Sequence, residues 1–422
     1  MRRQERLHGR PIVYALRSEL IAWSQSGQLR DKPPTDTPDQ VEAPSPTSPA
    51  ISTHAAGRVA LSVIGLVALA GLVYVTGPSS SAGKQPVDAI VESRALVALG
   101  ANGERLWARD LDFEPSQVTY TKRDESGFGM TRLLVTDLDN DGSNEIVLAI
   151  SSVGVKGRQG YRVFDADGTL RYAIEPSDHV VFGDEEFAGP WAAYRMFVVE
   201  NPDRTRSIWT AFIHSLYFPT LLLEVDRKGR INSKYWSNGY IEQVEVANIR
   251  DRRRVLVGGT NNETRGGSLA IFDYGKVAGS APASKPRFQC KTCEAGGPEL
   301  FVVFPRQCIA ETLAGQAAVE VIRHDAGGRV FVFAGEGPRG DTGEFPSGVW
   351  YTVNPAIELS SMQFAPGSSI LHRKLENDGR LDHSFSSPIH LSDPGTMLKW
   401  DGTGFASVRI QNFTPQNLTP RR

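Results

Sequence analysis

Cysteine is nearly absent from this chain: three residues in 422, at positions 290, 293 and 308. So few exclude a disulfide-built scaffold, and an odd, local cluster leaves one thiol over whatever pair forms. Histidine is scarce too, with eight in the chain, and those at 179, 214, 324, 372, 383 and 390 stand singly. No Gly-x-Ser-x-Gly elbow and no His-Glu-x-x-His helix occurs, and the Gly266-Gly267 and Gly327-Gly328 pairs lack the strand-to-helix setting of a phosphate cradle. These absences remove the usual signatures of acyl hydrolysis, zinc proteolysis and nucleotide binding. The formal net charge is only −2, so bulk charge points to no nucleic acid or anionic surface.

One long apolar run is present. Residues 59–76 carry no charge over eighteen positions, which as a helix spans about 27 Å, close to the hydrocarbon core of a bilayer. The run is expected to be a single transmembrane helix (58–76) in contact with membrane lipid. A cleaved signal peptide does not fit, because 58 residues precede the run. Residues 1–58 hold eight Arg and Lys against six Asp and Glu, and Arg58 abuts the span. The positive-inside rule then places the N-terminus in the cytoplasm and the remainder outside.

Around the span the chain divides by composition. Residues 1–30 begin Arg-rich and contain a strand near Ile12 and an amphipathic helix near Leu20. The string Val13-Tyr-Ala-Leu-Arg-Ser-Glu-Leu-Ile-Ala-Trp23 resembles the last strand and helix of excisionase-type helix-turn-helix domains. The part of that family that enters the major groove has no counterpart here, so nucleic acid is not an expected partner of this chain as written. Residues 31–57 contain six prolines and few apolar side chains, the composition of an extended tether. A second linker, 77–86, leads into a region from 87 to 422 that reads as short strands separated by Gly, Asn and Asp.

Within that region, Asp137-Leu-Asp-Asn-Asp-Gly-Ser-Asn-Glu145 places carboxylates at positions 1, 3, 5 and 9 of one loop. Calcium takes about six to eight hard oxygens. Alternate residues turn Asp137, Asp139 and Asp141 inward, Gly142 supplies the turn, the Ser143 carbonyl adds an oxygen and Glu145 closes the shell. Leu148 stands where an EF-hand needs its last glutamate, and the flanks are β-branched, so the loop joins strands. Together with Gly160-Tyr-Arg-Val-Phe-Asp-Ala-Asp-Gly-Thr-Leu-Arg-Tyr172, this strand-loop-strand form resembles one unit of the FG-GAP/VCBS repeat family. The resemblance covers about residues 131–172. It implies a β-propeller with structural calcium held by Asp137, Asp139, Asp141 and Glu145.

Internal echoes agree with a propeller. A strand, a glycine turn and a second strand recur around Gly103, Gly168 and Gly229, and the segments at Leu134 and Tyr161 return at Glu245 and Leu269. The later copy has Asn248, Arg250 and Arg252 in place of the three aspartates, so it is expected to bind no calcium. The fold class is mainly β, a β-propeller-like ectodomain of six or seven irregular blades behind one transmembrane helix, with a jelly-roll-like sandwich as an alternative for the C-terminal end. Trp107, Trp236 and Trp400 are expected in the core. For the cysteines, a disulfide within the cluster and a zinc site completed by His324 are alternatives, and His383 with His390 is a candidate metal pair. The acidic run Asp184-Glu185-Glu186 is either an exposed loop or part of a carbohydrate cleft.

Three functions follow. The first is a membrane-anchored binding or sensing protein taking a protein or glycan at the propeller face. The second is a membrane-bound transcription regulator truncated at its DNA-binding part, and the third is an exported lyase or hydrolase.

Overall fold

A computed structural model describes residues 2–4, 12–14, 85–115, 120, 132–151, 159–214, 218–313, 315–337, 346–354, 356, 358–385 and 396–408. The chain divides into two compact units, Met1–Pro78 and Ser79–Arg422. In the first, β1 (Arg2–Gln4) and β2 (Ile12–Tyr14) form an antiparallel hairpin. The predicted helices near Leu20 and over 58–76 lie outside the described residues, as do the two linkers apart from 85–86. Among the described residues no helix is long and apolar enough to cross a membrane.

The second unit is a succession of antiparallel meanders. β3 (Asp88–Glu92), β4 (Ala95–Leu99) and β5 (Arg105–Asp110) make the first sheet, and β6 (Leu133–Thr136), β7 (Glu145–Ser151), β8 (Gln159–Phe164) and β9 (Leu170–Ile174) the second. A ribbon of β10 (His179–Phe182) and β11 (Glu185–Ala188) leads to the third sheet, β12 (Ala192–Glu200), β13 (Arg206–Ile213), β14 (Thr220–Val225) and β15 (Ile231–Ser237). The fourth contains β16 (Ile241–Ile249), β17 (Arg252–Asn261), β18 (Gly266–Asp273) and, after β19 (Ala278–Ser280) has joined β15 in parallel, β20 (Leu300–Phe304). Helix α1 (Cys308–Thr312) precedes the fifth sheet, β21 (Ala317–His324), β22 (Val330–Glu336), β23 (Gly348–Val353) and β24 (Leu359–Phe364). Helix α2 (Pro366–Asn377) follows, and β25 (Met397–Trp400) with β26 (Phe405–Val408) extends the fourth sheet beyond β20.

Alternation with period two explains why the sheets stack. In β7, Ile146, Leu148 and Ile150 face the first sheet, whereas Val147 and Ala149 join Phe212 and Leu223 of the third. In β13, Ile208 and Phe212 point back to the second sheet, and Trp209 and Ala211 point forward to Val255 and Val257 of the fourth. In β17 and β18, Leu256, Leu269 and Ile271 meet Val319, Val332 and Tyr351 of the fifth. A strand apolar at every position is thus buried on both faces, and four apolar layers bind five sheets. The opening strands lie together, β3 beside β6, β12 beside β16 and β16 beside β21. This is the propeller-like, mainly β fold that was expected.

Three expectations need correction. The described residues hold five sheets of three or more strands, not six or seven blades. The strands β25 and β26, which the sequence Met397-Leu-Lys-Trp-Asp-Gly-Thr-Gly-Phe405 shows as a strand-turn-strand, make no further blade because Val302 and Val303 of β20 pair with Lys399 and Leu398, so they become the margin of the fourth sheet. The C-terminal end is a meander rather than a jelly roll, and it carries a twelve-residue helix, α2. Pro366 at its first turn, with Leu371 and Leu375 four apart on its buried face, was the available signal.

The predicted repeat is real. Leu99 pairs with Arg105, Phe164 with Leu170 and Val225 with Ile231, each across a turn whose glycine, Gly103, Gly168 or Gly229, has φ between +76° and +83°. Only glycine adopts this backbone readily, and two of the three have a second constraint. A Cβ on Gly168 would lie 2.9 Å from the Trp107 ring, and one on Gly229 would lie 2.8 Å from Tyr172. Trp107 and Tyr172 occupy the same place in successive sheets, two residues into the strand after the turn. Each lies on the next sheet's turn and donates a hydrogen bond to it, Trp107 Nε1 to the Ala166 carbonyl at 2.7 Å and Tyr172 Oη to the Asp226 carbonyl at 3.2 Å.

Candidate functional site

The loop between β6 and β7 gathers part of the predicted calcium shell. Asp137, Asp139 and Glu145 each bring a carboxylate oxygen within 4.8 Å of the others. Asn140 and Gly142, at φ +61° and +91°, reverse the chain between them. The Asp137 carboxylate accepts the N–H groups of Asp141 (3.2 Å) and Gly142 (3.0 Å), and Glu145 Oε2 accepts the N–H of Leu138 at 2.7 Å. Asp139 Oδ1 is buried without a hydrogen-bond partner. Asp141 lies outside this three-carboxylate group, and its carboxylate accepts the Ser143 N–H at 2.7 Å.

Arg171 was missed in the sequence. Its guanidinium reaches Asp139 Oδ2 at 3.1 Å and Glu145 Oε1 at 2.9 Å and also pairs with Asp165. It supplies positive charge to two of the three clustered carboxylates. Asp137, Asp139 and Glu145 are a group that could hold a metal ion. The second copy of the loop is reduced to the turn Arg250-Asp251, both at positive φ, between Ile249 and its partner Arg252. It gathers no carboxylates.

Two buried carboxyls contribute a pH response of one sign. Burial pushes Glu145 up to about 7, against hydrogen bonding from Leu138 and the charge of Arg171. Burial likewise pushes Glu336, at the end of β22, up to about 7, although it accepts the Gln307 N–H at 2.6 Å. Folded-state values above the ordinary 4.5 mean that the folded protein holds protons the unfolded chain has released. Stability is therefore full below about pH 4.5 as far as these groups are concerned and falls as pH rises to 7. For Glu336 the loss is on the order of 3 kcal/mol. Urea unfolding in chelator at pH 5 and pH 8 measures it, and Glu336→Gln should flatten the profile; an unchanged slope in the variant would assign it elsewhere.

A second site lies on the turns of the third sheet. In the first two sheets the cross-strand pairs next to the glycine turn are Ala98 with Trp107 and Val163 with Tyr172. The third sheet has Glu224 with Ser233 in that register. Both are buried, and Ser233 Oγ donates to Glu224 Oε2 at 2.5 Å. Where the first two sheets extend an aromatic ring onto their neighbour, this one opens a cleft of about 580 Å³. Asn201, Asp203, Lys228, Asn232 and Tyr274 are among its lining residues. Tyr274 Oη donates to Asn201 Oδ1 at 2.7 Å, and the Arg253 guanidinium lies 4.6 Å from the ring centre. Hydrogen bonds from Thr205 hold Asp203 below the ordinary carboxylate range. For Asp226 burial acts upward, but hydrogen bonds from Arg230 and Lys228 outweigh it and keep the group ionised.

Of the remaining predicted residues, His390 lies outside the described residues and the others separate. Cys290 and Cys293 form a disulfide and Cys308 is free, which settles the cysteine alternatives against a zinc site made from all three. His324 lies 3.6 Å from Glu245 instead. Asp184, Glu185 and Glu186 are exposed and pair with Lys291, Arg287 and His179 in turn, so the acidic run is a charged surface. Trp236 is in the core, whereas Trp107 and Trp400 are half-buried.

No family model matches the chain, and no curated protein does. Among solved structures it is similar to the Dos1 propeller, at 11% identity over 63% of this chain and 52% of that one, with a TM-score of 0.32. It is similar to BBS1N in complex with ARL6DN, at 12% identity over 68% and 70% with a TM-score of 0.33. For a putative exo-β-1,3-galactanase from Bifidobacterium bifidum the values are 9%, 64%, 82% and 0.29. The chain spans about half of the Dos1 propeller chain. These likenesses assign no ligand or activity.

Proposed function

We propose that this protein is a single-pass, membrane-anchored binding protein whose extracytoplasmic propeller-like domain takes a glycan in the cleft at Glu224. The observation that carries the reading is the exchange of an apolar pair for Glu224 and Ser233 at one position of a repeated hairpin. A buried carboxylate is costly unless something compensates it, and here it faces a cleft rather than a packed ring. Sugar hydroxyls both donate and accept. The carboxylates of Asp203 and Glu224, the amides of Asn201 and Asn232 and the cation of Lys228 offer them both kinds of partner. The uncharged run 59–76 provides the anchor, and the loop at Asp137, Asp139 and Glu145 is a calcium site of the FG-GAP/VCBS kind that fixes the joint between β6 and β7.

The cleft is tested by screening the full chain against a panel of neutral and acidic oligosaccharides, with Tyr274→Ala alongside. Selective binding that the variant loses supports the reading, and turnover of any panel member would replace it with an enzyme. Calcium is tested by thermal unfolding of the full chain with calcium added after chelation. A ligand that binds only the folded state at a hundredfold its Kd stabilises by about 2.7 kcal/mol, so the parent midpoint should rise by several degrees and that of Asp139→Ala should not move. Equal behaviour of the two would leave Arg171 as the cluster's only counter-ion.

A further inference from the structure

A group not used so far lies where α1 meets α2. His372, on α2, is fully buried, and its Nε2 is 3.4 Å from Nε2 of His383. Cys308, the first residue of α1 and the free cysteine, brings its Sγ into the same group, in which all three ligand atoms lie within 4.8 Å of one another. Each imidazole is oriented from behind by a carboxylate: His372 Nδ1 is 2.6 Å from Glu376 Oε1, and His383 Nδ1 is 2.9 Å from Asp382 Oδ1. The Phe385 N–H, at 2.8 Å, fixes Glu376 Oε1 in turn, and the Phe385 ring packs edgewise on His372.

This arrangement determines tautomers. A carboxylate is an acceptor, so each Nδ1 carries a proton and donates it, which turns each Nε2 toward the other ring. The two Nε2 atoms approach to 3.4 Å beside a thiol. Such a contact is held together by a positive charge between the nitrogens, either a shared proton or a metal ion. Tetrahedral zinc has Zn–N distances of about 2.0–2.1 Å, which sets two ligating nitrogens about 3.3–3.4 Å apart. Carboxylate behind imidazole is also the usual second layer of a metal centre.

We propose that Cys308, His372 and His383 bind a zinc ion, with Glu376 and Asp382 as positioning residues. On binding, the Cys308 thiol gives its proton to solvent and the sulfur pair forms the bond to zinc, with no change of oxidation state. One thiolate and two imidazoles suit a borderline-soft divalent ion and disfavour calcium or magnesium. The site ties α1, ahead of the fifth sheet, to α2 and the segment behind it. Its ligands are unrelated to the Asp137 loop and to the cleft.

The test uses the full chain, stripped with chelator and titrated with cobalt(II) and then zinc(II). The expected result is one cobalt per chain with tetrahedral d–d bands and a thiolate-to-metal charge-transfer band, both displaced by zinc. The thiolate band reports Cys308 alone, because Cys290 and Cys293 are joined to each other. Cys308→Ser should abolish that band. Asp382→Asn, at an exposed position, should leave the fold intact and weaken binding about tenfold. Absence of the thiolate band from the folded parent protein would overturn the proposal, as would nitrogen NMR showing a proton shared by His372 and His383 that zinc does not displace.

Discussion

Replacing Trp191 by alanine is expected to destabilise the domain by about 3–5 kcal/mol, the cost of deleting a large aromatic from a packed interior. Trp191 is fully buried just ahead of β12, in the layer between the second and third sheets. Its ring meets Trp236 edge-on at 5.1 Å and His214 at 5.5 Å, and Nε1 donates to the Asp178 carbonyl at 3.0 Å. Alanine would remove the ring from this layer and leave that carbonyl without its donor. For a domain of this size the loss corresponds to a midpoint lower by on the order of 10 °C. Trp400→Ala, on the half-buried margin of the fourth sheet, should cost about 1 kcal/mol. Thermal or urea unfolding of the two variants beside the parent decides the matter; equal losses would show that the layered packing is not what holds the sheets together.

The contrast between these tryptophans shows where the sequence was informative. Alternating apolar positions and recurrent glycine turns are local signals, and Gly103, Gly168 and Gly229 fall at one position of one hairpin type. The carboxylates at 137, 139 and 145 likewise lie on one short loop, and the structure brings them together. What was illegible depends on residues distant in sequence. Arg171 meets Asp139 and Glu145 only because β9 and β7 flank β8 in the same sheet. Cys308 meets His372 and His383 only after the whole fifth sheet has been laid down between them. The number of blades was beyond reach for the same reason, since the last hairpin reads as an independent unit until β20 is seen to pair with it.

Restoring the apolar pair in the third sheet, Glu224→Val with Ser233→Tyr, is expected to abolish ligand capture without unfolding the protein. The two residues are cross-strand partners beside the Gly229 turn, the position filled by Val163 and Tyr172 in the second sheet. A tyrosine there would extend toward the fourth sheet as Tyr172 extends over the third, filling the cleft that Asp203, Asn232 and Tyr274 line. Removing the buried carboxylate also removes a desolvation cost, so the unfolding midpoint should hold or rise. Binding of any panel oligosaccharide should fall by at least about a hundredfold, a loss of some 2.7 kcal/mol. Glu224→Gln alone keeps the shape and removes only the charge, and should weaken an acceptor-dependent ligand by about tenfold. Undiminished binding by a folded double variant would move the ligand away from this cleft. Lost binding with unchanged stability would show that the third sheet departs from the repeat in order to bind.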